Sequence, residues 1–337
     1  MVVLIVTSEK SGIDRYSHEI AKRLVVKKIE TRRYLSLIEA YRLAKVIRGE
    51  SDVIHLPNQD FGRYALFLKN PFIVTVHDLV RSCFRYAQET ISERVLLKLD
   101  IKGIKRASHI IADSQNTRKD LIKYLKISEN RITVIYPGVD HSIFKPYNIK
   151  LLDKRYILYV GSERPRKNLG RLLEAFAKLK TEFPELKLVK VGTPGRSETY
   201  RRNMMAKLDS LGITQDVIFV DFISELDLAH YYSSATLLAY PSLYEGFGLP
   251  PLEAMACGCP VVTSNSSSLP EVIGEAGIMV NPNDTESLAQ AMRQVLTDSK
   301  LRDDMIRKGL EQAKRFSWKK TAEQTQEVYN KAAELGL

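Results

Sequence analysis

Residues 237–263 read LLAYPSLYEGFGLPPLEAMACGCPVVT, and this stretch decides the fold. An apolar run ends at Tyr240, a loop containing Gly246 and Gly248 leads into two prolines, and a helical segment stops near Gly258 before a second apolar run. Proline is well accepted at the first positions of a helix, and glycine is a common stop signal. The stretch is therefore predicted to form a strand, a glycine-rich loop, a helix and a second strand.

Short apolar runs of this kind recur along the whole chain. They are continuous rather than alternating, which is typical of strands buried on both faces of a parallel sheet. Helical patterns separate them, and the clearest begins at Asn168, which is predicted to cap a helix reaching about Phe183. Eleven runs exceed the strands of a single (β/α)8 barrel, the alternative, so we expect an α/β protein with two doubly wound parallel sheets. The runs are residues 2–6, 53–56, 72–76, 109–112, 132–135, 156–160, 186–191, 217–220, 236–240, 260–263 and 278–280.

The length of the chain and one stretch of turn-forming residues predict two domains. A length of 337 residues fits two domains, and residues 136–153, which contain prolines and lack helical periodicity, predict the boundary. We assign residues 1–150 to an N-terminal domain and 151–317 to a C-terminal domain. No apolar run approaches the ~20 residues of a membrane span. The N-terminal run lacks a basic leader and is interpreted as the first strand rather than a signal peptide.

The charge is unevenly distributed. Residues 1–155 carry 29 basic and 17 acidic side chains, a net charge of +12, whereas the remaining residues carry 22 and 23, a net charge of −1. This asymmetry predicts an anionic partner for the first domain, such as nucleic acid, an anionic membrane surface or a phosphorylated substrate. A basic surface that serves only solubility is the alternative.

The glycine-rich loop is the strongest candidate site. Backbone N–H groups and the helix dipole at the start of a helix form an anion site that suits a diphosphate. Glu245 and Glu253 frame this site, and carboxylates accept paired hydrogen bonds from the vicinal hydroxyls of sugars or ribose. The alternatives are that Glu253 only complements the helix dipole and that Glu245 is solvated.

A second candidate is the turn VGSERPRKN at residues 160–168, which follows the first strand of the second domain. Its cations Arg164, Arg166 and Lys167 would neutralise a diphosphate and stabilise it as a leaving group. Weaker candidates in the first domain lie at the ends of apolar runs. They are Gly12 in SEKSGI, His77 and Asp78 in TVHDL, Asp113 and Ser114 in IADSQ, and Gly138 in YPGVD.

The sequence lacks the motifs of several common metal-binding, nucleotide-binding and catalytic sites. No D-x-D occurs, so a carboxylate-held metal under a diphosphate is not expected. No Walker A, H-E-x-x-H or G-x-S-x-G motif is present. Cys83, Cys257 and Cys259 have neither zinc nor thioredoxin-type spacing and are expected to be small buried residues in a reducing compartment. We therefore predict no metal and no cofactor.

The string EGFGLPPLEAMACGCPVV from Glu245 resembles the E-x7-E motif of the retaining family 4 glycosyltransferases, also called group 1. The resemblance extends along most of the chain, through the Gly12 loop, the His77 strand end, Ser114, YPGVD, the R-K-N turn and the FSW sequence before the last helix. It implies an α/β GT-B fold, in which two Rossmann-like domains with parallel sheets face each other across a cleft. It also implies that the C-terminal helix, about residues 318–337, crosses back to the N-terminal domain.

The resemblance also assigns roles to residues. Glu253 is expected to bind the donor ribose, Lys167 the diphosphate, and His77 the transferred sugar, while Glu245 lies beside that sugar. The family often has Arg where this chain has Ser162, and we expect Arg166 rather than Arg164 to replace it. The loop before Gly12 usually has a second glycine, where this chain has Ser11, so it is expected to lie less close to the phosphates. The expected donor-binding residues are Gly12, Gly161, Ser162, Arg166, Lys167, Glu245, Gly246, Phe247, Gly248, Leu249 and Glu253. The expected catalytic residues are Glu245, His77, Lys167 and Arg166.

The activity implied by the resemblance is metal-independent transfer of a hexose, of the mannose or glucose type, with retention of configuration. The R-K-N turn is similar to that of members that use GDP-mannose, and a UDP-sugar is the other donor considered. The implied reaction is a front-face substitution, and Glu245 as a covalent nucleophile is the alternative. A nucleotide-sugar epimerase of the same fold and a basic protein that binds nucleic acid or an anionic surface remain alternative functions.

The acceptor is expected at the basic N-terminal domain, where this family binds glycans or lipid-linked acceptors. Residues 81–106 combine basic and apolar side chains and predict an amphipathic helix that lies on anionic lipid. An ordinary surface helix with its apolar face in the core is the alternative. We therefore expect a cytoplasmic enzyme, peripheral at the inner face of the cell membrane, with no nucleic acid partner.

Overall fold

The structure is a computed structural model that describes residues 2–7, 12–31, 37–47, 53–69, 71–83, 90–195 and 197–334. Contacts divide the chain into two compact units. Unit 1 comprises Met1–Gly138 and Ser317–Leu337, and unit 2 comprises Val139–Phe316. Each unit is built on a six-stranded parallel sheet with helices between the strands, which excludes the barrel alternative.

Unit 1 has the strand order β2-β1-β3-β4-β5-β6, and every described pair of neighbouring strands is parallel. Its strands are β1 (Val2–Thr7), β2 (Lys27–Thr31), β3 (Val53–Leu56), β4 (Phe72–Val76), β5 (His109–Ala112) and β6 (Ile132–Val134). Its helices are α1 (Gly12–Arg23), α2 (Leu37–Ile47), α3 (Val80–Cys83), α4 (Ile91–Arg106), α5 (Gln115–Leu125) and, from the end of the chain, α13 (Trp318–Glu334), with 3-10 helices at Gln59–Leu66 and Glu129–Arg131.

The unit 1 sheet is covered on both faces because its side chains alternate between two apolar layers. Ile54, Val74 and Ile110 pack on one side, in the larger cluster. Ile73 and Ile111 pack on the other side with residues of α13. Strands buried on both faces account for the continuous apolar runs in the sequence.

Helix α13 is fastened to the unit 1 sheet by polar contacts as well. The Tyr329 hydroxyl lies 2.6 Å from His55 Nδ1, and His55 Nε2 lies 2.8 Å from the Thr75 hydroxyl. Thr321 donates to the Tyr136 carbonyl at 2.8 Å. The last helix is therefore part of the first unit, although unit 2 separates the two in the sequence.

Unit 2 has the strand order β12-β11-β10-β7-β8-β9, again parallel throughout its described pairs. Its strands are β7 (Tyr156–Val160), β8 (Lys187–Val191), β9 (Val217–Val220), β10 (Leu237–Tyr240), β11 (Val261–Ser264) and β12 (Ile278–Val280). Its helices are α6 (Leu169–Lys180), α7 (Glu198–Leu211), α8 (Glu225–Ser234), α9 (Leu249–Ala256), α10 (Leu269–Ile273), α11 (Thr285–Thr297) and α12 (Ser299–Ala313), with 3-10 helices at Pro165–Lys167 and Thr214–Asp216.

The unit 2 order reverses direction between β7 and β10. The chain builds outward from β7 through β8 to β9, then returns to the other side of β7 and continues through β10, β11 and β12. In doubly wound sheets, the crevice at such a reversal, beyond the carboxyl ends of the strands, is where ligands bind. The loops after β7 and β10 therefore occupy the position that a ligand site requires.

The units meet inside the predicted boundary segment 136–153. They divide after Gly138 rather than after residue 150, because the segment that follows Gly138 packs on unit 2. The Phe144 ring meets the Tyr232 ring, and the Tyr147 N–H donates to the Ser233 hydroxyl at 3.2 Å.

Two secondary-structure predictions also need correction. Strand β2 is missing from the predicted runs because it is an edge strand, with the sequence KKIET and largely exposed side chains. Asn168 does not cap α6 with its side chain; its backbone is left-handed, with φ +58°, and its amide nitrogen donates to the carbonyls of Pro241 and Pro282. Its side chain instead links the loop after β10 to the loop after β12.

The basic segment 81–106 is not one continuous helix. Helix α3 ends at Cys83 and α4 begins at Ile91, where Thr90 and Glu93 form a capping box. Residues 84–89, including Arg85, lie outside the described residues. Within the described part of the chain, no helix is both long enough and apolar enough to cross a membrane.

Candidate functional site

The centre of the candidate site is the side chain of Glu245, in the loop after β10. Its Oε1 lies 2.7 Å from Lys167 Nζ, and its Oε2 lies 3.1 Å from Arg166 Nη1. Tyr240 donates its hydroxyl to Glu245 Oε1 at 3.0 Å and accepts from Lys167 Nζ at 2.6 Å. The structure thus joins Glu245 to both cations of the turn after β7 that were predicted to bind the donor.

The charges in this cluster are set by burial and by each other. Burial acts to raise the pKa of Glu245, but Lys167 and Arg166 outweigh it and lower that pKa to about 2. Burial lowers the pKa of Lys167 to about 8, although Glu245 acts in the opposite direction. At neutral pH, Glu245 is a carboxylate and Lys167 is still largely protonated.

Arg166 belongs to this cluster through direct contacts. Arg166 Nη1 also donates to the Tyr244 carbonyl at 2.9 Å, so its guanidinium bridges the two loops. Arg164 is exposed at the start of the 3-10 helix. Ser162, where an arginine was expected from the resemblance, accepts a backbone hydrogen bond from Arg164 and shapes the turn.

The turn after β7 is held from behind by a buried charge cluster that sequence reasoning missed. The Glu163 side chain is fully buried, and its Oε1 lies 3.1 Å from Lys190 Nζ and 2.5 Å from Arg201 Nη1. Lys190 interrupts the apolar strand β8, and this interruption was the available signal. A Cβ on Gly192 would lie 2.9 Å from the Gly161 carbonyl oxygen, so the turns after β7 and β8 touch through their backbones.

The loop 241–248 leads into α9, and the first turn of this helix has few backbone N–H groups to offer a ligand. Gly248 precedes the helix with φ +125°, and a Cβ there would lie 2.9 Å from a methyl group of Leu269. Leu249 is the first helical residue, and the next two positions are Pro250 and Pro251, which have no N–H. The anion site predicted at this helix start therefore depends on the residues before Pro250, among them Gly246 and Phe247.

Glu253 lies in the second turn of α9. It is buried, and its Oε2 accepts a hydrogen bond from the Tyr232 hydroxyl at 3.0 Å. Because the effect of a helix dipole fades beyond the first turn, complementing the dipole does not account for Glu253. Tyr232, on α8, is a partner that the sequence did not indicate.

His77 is enclosed by acceptors at the carboxyl end of β4 in unit 1. Its Nδ1 lies 2.6 Å from Asp113 Oδ2 and its Nε2 lies 2.9 Å from the Pro57 carbonyl. Both ring nitrogens must then carry a proton, and although burial lowers the pKa of His77, Asp113 raises it above its usual value. The ring was expected to bind the transferred sugar, but protein atoms occupy both of its nitrogens in this conformation.

The other unit 1 candidates have local roles. Ser114 caps α5 through the Thr117 N–H, and Asp78 accepts from the N–H of Val80 at the start of α3. Gly12 is the first residue of α1, and Ser11 lies outside the described residues. Gly138 packs so closely on Trp318 that a Cβ would lie 2.1 Å from the Trp318 nitrogen.

The described residues contain no group of three or more His, Cys, Asp or Glu side chains placed to hold a metal ion. All three cysteines are free; Cys257 and Cys259 are buried and Cys83 is half-buried. Burial raises the pKa of Cys257 to about 12, so this thiol stays protonated.

Comparison with known proteins decides the family. The family model described as "Glycosyl transferases group 1" matches residues 142–312, and the one described as "Glycosyltransferase Family 4" matches residues 2–143. The chain is a family 4 glycosyltransferase. The enzyme is 31% identical to O-antigen chain mannosyltransferase B of Escherichia coli, over 95% of its own length and 96% of that protein. It is 30% identical to the MMP alpha-(1->4)-mannosyltransferase of Mycolicibacterium hassiacum, over 86% of its length and 74% of that protein.

Solved structures agree on the fold of this glycosyltransferase. The Anabaena HepE structure with UDP-glucose has a TM-score of 0.83 at 18% identity and covers 98% of this chain and 99% of its own. WaaG, a glycosyltransferase involved in lipopolysaccharide biosynthesis, has a TM-score of 0.74 at 17% identity and covers 97% and 99%. The family 4 glycosyltransferase therefore has the GT-B fold.

Proposed function

We propose that this glycosyltransferase moves a hexose of the mannose or glucose type from a nucleotide-diphospho-sugar to a glycan or lipid-linked acceptor. We propose further that the configuration is retained and that no metal or cofactor is needed. The observation that carries the proposal is the buried cluster of Glu245, Lys167, Arg166 and Tyr240 at the reversal point of the unit 2 sheet. It supplies two fixed cations where a diphosphate would lie.

The cluster supports a front-face substitution. The acceptor oxygen forms its bond to the anomeric carbon on the side from which the diphosphate oxygen leaves, and the acceptor's proton passes to that leaving oxygen. Lys167 and Arg166 stabilise the charge that develops on the diphosphate. Glu245 holds both cations in place before the donor arrives, so little reorganisation is needed during the reaction.

Glu245 is less suited to act as a covalent nucleophile. It is ionised, but its two oxygens are paired with Lys167 and Arg166, and this pairing stabilises the carboxylate. Intact-protein mass spectrometry of the enzyme quenched during turnover separates the two mechanisms. An adduct with the mass of one hexosyl group, absent from Glu245→Gln, would replace the front-face proposal with the nucleophilic one.

The donor is proposed from three observations. The R-K-N turn resembles that of members that use GDP-mannose, and both relatives described above carry the word mannosyltransferase in their names. The structural neighbour HepE was solved with UDP-glucose. GDP-mannose is therefore the first donor to test and UDP-glucose is the second.

A thermal-shift panel of GDP, UDP, ADP and CMP with their common sugars, in EDTA, tests donor class and metal independence together. A ligand that binds only the folded state raises the melting temperature as its concentration rises. We expect one nucleotide class to respond, and Glu253→Ala to abolish the response. Glu275→Ala, which removes an exposed carboxylate of the same unit, serves as the control. If no nucleotide responds, the donor proposal is wrong.

Product analysis then tests the reaction itself. We expect NMR to show the same anomeric configuration in product and donor. Donor that is isomerised without acceptor would favour the epimerase alternative instead.

We also propose that unit 1 binds an anionic membrane surface through α4. Ile91 and Val95 are exposed on this helix, at 83% and 51%, and basic residues accompany them. Its opposite side, at Gly103 and Ile104, is buried in unit 1. Exposed apolar side chains among cations suit the interface of a bilayer of anionic lipid. The basic residues of α4 are Arg94, Lys98, Lys102, Lys105 and Arg106.

Cosedimentation with phosphatidylglycerol vesicles tests the membrane proposal. Binding is expected at low salt, with loss at high salt and in the double variant Ile91→Ser, Val95→Ser. Val25→Ser removes an even more exposed apolar residue from elsewhere in unit 1 and should bind like the unmodified enzyme. Equal binding by all three proteins, or none at low salt, would refute the role of α4.

A further inference from the structure

A run of serines follows β11, next to the loop that carries Glu245. Strand β11 pairs with β10 up to Tyr240, which lies opposite Thr263. The two strands therefore end at the same edge of the sheet. The chain continues after Thr263 as SNSSS, residues 264–268, and the function proposed above does not use these residues.

Two of the serines grip the backbone of the Glu245 loop. The fully buried Ser268 donates its hydroxyl to the Phe247 carbonyl at 2.6 Å, with the Glu245 carbonyl 3.0 Å away. The Ser267 hydroxyl accepts a hydrogen bond from the Glu245 N–H at 2.8 Å. The backbone N–H and the backbone carbonyl of Glu245 therefore both lie within hydrogen-bonding distance of a serine hydroxyl.

Ser267 makes its hydrogen bond to Glu245 from an unfavourable backbone conformation. Its φ is +51°, in the left-handed region that residues with a side chain rarely adopt. Non-glycine residues persist in such conformations when the surrounding contacts hold them there, and they often occur at functional sites. The hydrogen bond to Glu245 is one such contact.

A fixed backbone at Glu245 has a consequence for its side chain. In this position of the loop, the carboxylate reaches Lys167 and Arg166, and those contacts order the two cations. We propose that Ser267 and Ser268 are positioning residues, which place the Glu245 carboxylate against the donor-binding cations. The assignment of those cations to a donor rests on the function proposed above; the grip on the loop does not.

The three consecutive serines supply a matched control. Ser266 precedes the pair and is half-buried, and its described hydrogen bond is made by its backbone carbonyl, which accepts from the Leu269 N–H. Ser266→Ala therefore removes a hydroxyl from the same segment without touching the loop. Ser268→Thr keeps the hydroxyl at the decisive position.

Hydrogen exchange followed by mass spectrometry, without any ligand, tests the grip directly. We expect peptides covering residues 242–249 to exchange at least tenfold faster in Ser268→Ala and Ser267→Ala than in Ser266→Ala. Unchanged exchange in these peptides would overturn the proposal. This result does not depend on what the enzyme transfers, so it separates failure of the grip from failure of the proposed function.

Kinetics with GDP-mannose, or with whichever nucleotide sugar raises the melting temperature, test the consequence. Small misplacement of a reacting geometry costs on the order of 100-fold in rate. We expect Ser268→Ala to lower kcat by about that factor, with a much smaller change in KM, and Ser268→Thr to recover most of it. Equal losses in the alanine and threonine variants, or a loss in Ser266→Ala as large as in Ser268→Ala, would show a general structural role and refute the positioning role.

Discussion

Lys167 is a buried cation whose charge depends on pH near the physiological range. Burial lowers its pKa to about 8, so the side chain loses its proton as the pH rises through that value. A diphosphate next to Lys167 then loses one of its two cations.

This titration predicts that nucleotide affinity falls in alkaline solution. The Kd for GDP or UDP, measured by calorimetry from pH 6.5 to 9.5, should rise above pH 8 by up to about tenfold per pH unit. Lys167→Arg keeps its charge across this range and should show a nearly flat profile. Lys207→Arg, at a half-buried ion pair with Glu174, should follow the unmodified enzyme. Identical profiles for all three proteins would contradict the assignment.

The buried ion pair between Glu163 and Lys190 is expected to affect the stability of the folded protein. Glu163→Gln leaves Lys190 buried without its counter-charge, and breaking a buried pair from one side costs about 3–5 kcal/mol. We expect a clear fall in the melting temperature. The double variant Glu163→Met, Lys190→Met removes both charges, and because well-packed apolar residues can replace a buried pair, it should recover most of the loss. A double variant no more stable than Glu163→Gln would contradict this account.

The ion pair between His77 and Asp113 makes the stability of unit 1 depend on pH. The pKa of His77 is higher in the folded chain than the ~6.5 of an unfolded histidine. Its contribution is therefore complete below about pH 6.5 and is lost as the pH rises through the folded value. Asp113→Asn should remove this part of the pH dependence of the melting temperature, and an unchanged pH dependence would argue against the pair.

At the scale of elements, two helices of unit 1 are in backbone contact. A Cβ on Gly103 of α4 would lie 1.7 Å from the carbonyl oxygen of Gly62, in the 3-10 helix Gln59–Leu66. Beside this crossing, Arg63 and Asp100 form a buried ion pair. Glycine is therefore required here by the neighbouring backbone rather than by its own conformation.

The crossing predicts unequal effects on the free energy of unfolding for the same substitution in two helices. Gly103→Ala must push α4 away from its neighbour and should lower stability by about 1–3 kcal/mol or more. Gly170→Ala in α6 meets the flexible ends of Met204 and Lys207, so the better helix propensity of alanine, worth up to ~1 kcal/mol, should offset the contact. Urea unfolding of both variants gives the comparison, and equal effects would contradict it.

At the scale of the whole molecule, the sequence predicted what depends on local pattern. Continuous apolar runs revealed eleven of the twelve described strands, because all eleven are buried or half-buried in the sheets, as in β3 and β10. The edge strand β2 escaped because its polar sequence KKIET has no such run. Glu245, Arg166 and Lys167 were predicted together because each lies at the end of a strand in a recognisable motif.

Residues that act across the fold could not be predicted in this way. Tyr240 reaches Lys167, and Ser268 reaches Glu245, because β7, β10 and β11 are neighbours, which the spacing of residues along the chain does not reveal. Glu163 and Lys190 are likewise brought together by the pairing of β7 with β8. His77 was predicted to be a site residue from its strand end, but the acceptors on both of its ring nitrogens come from other strand ends.

The close contact of Gly138 with Trp318 has a consequence for how the chain can be rearranged. Unit 2 is an uninterrupted segment inserted into the sequence of unit 1. The points at which the chain leaves and re-enters unit 1 are in contact, at Gly138 and Trp318. The ends of unit 2 are also close, since His141 Nε2 lies 3.1 Å from the Phe316 carbonyl. Nearby termini make a segment suitable for excision or circular permutation. We therefore expect residues 139–316 to be transferable as a module, with a short linker from Gly138 to Ser317 closing the parent chain behind it.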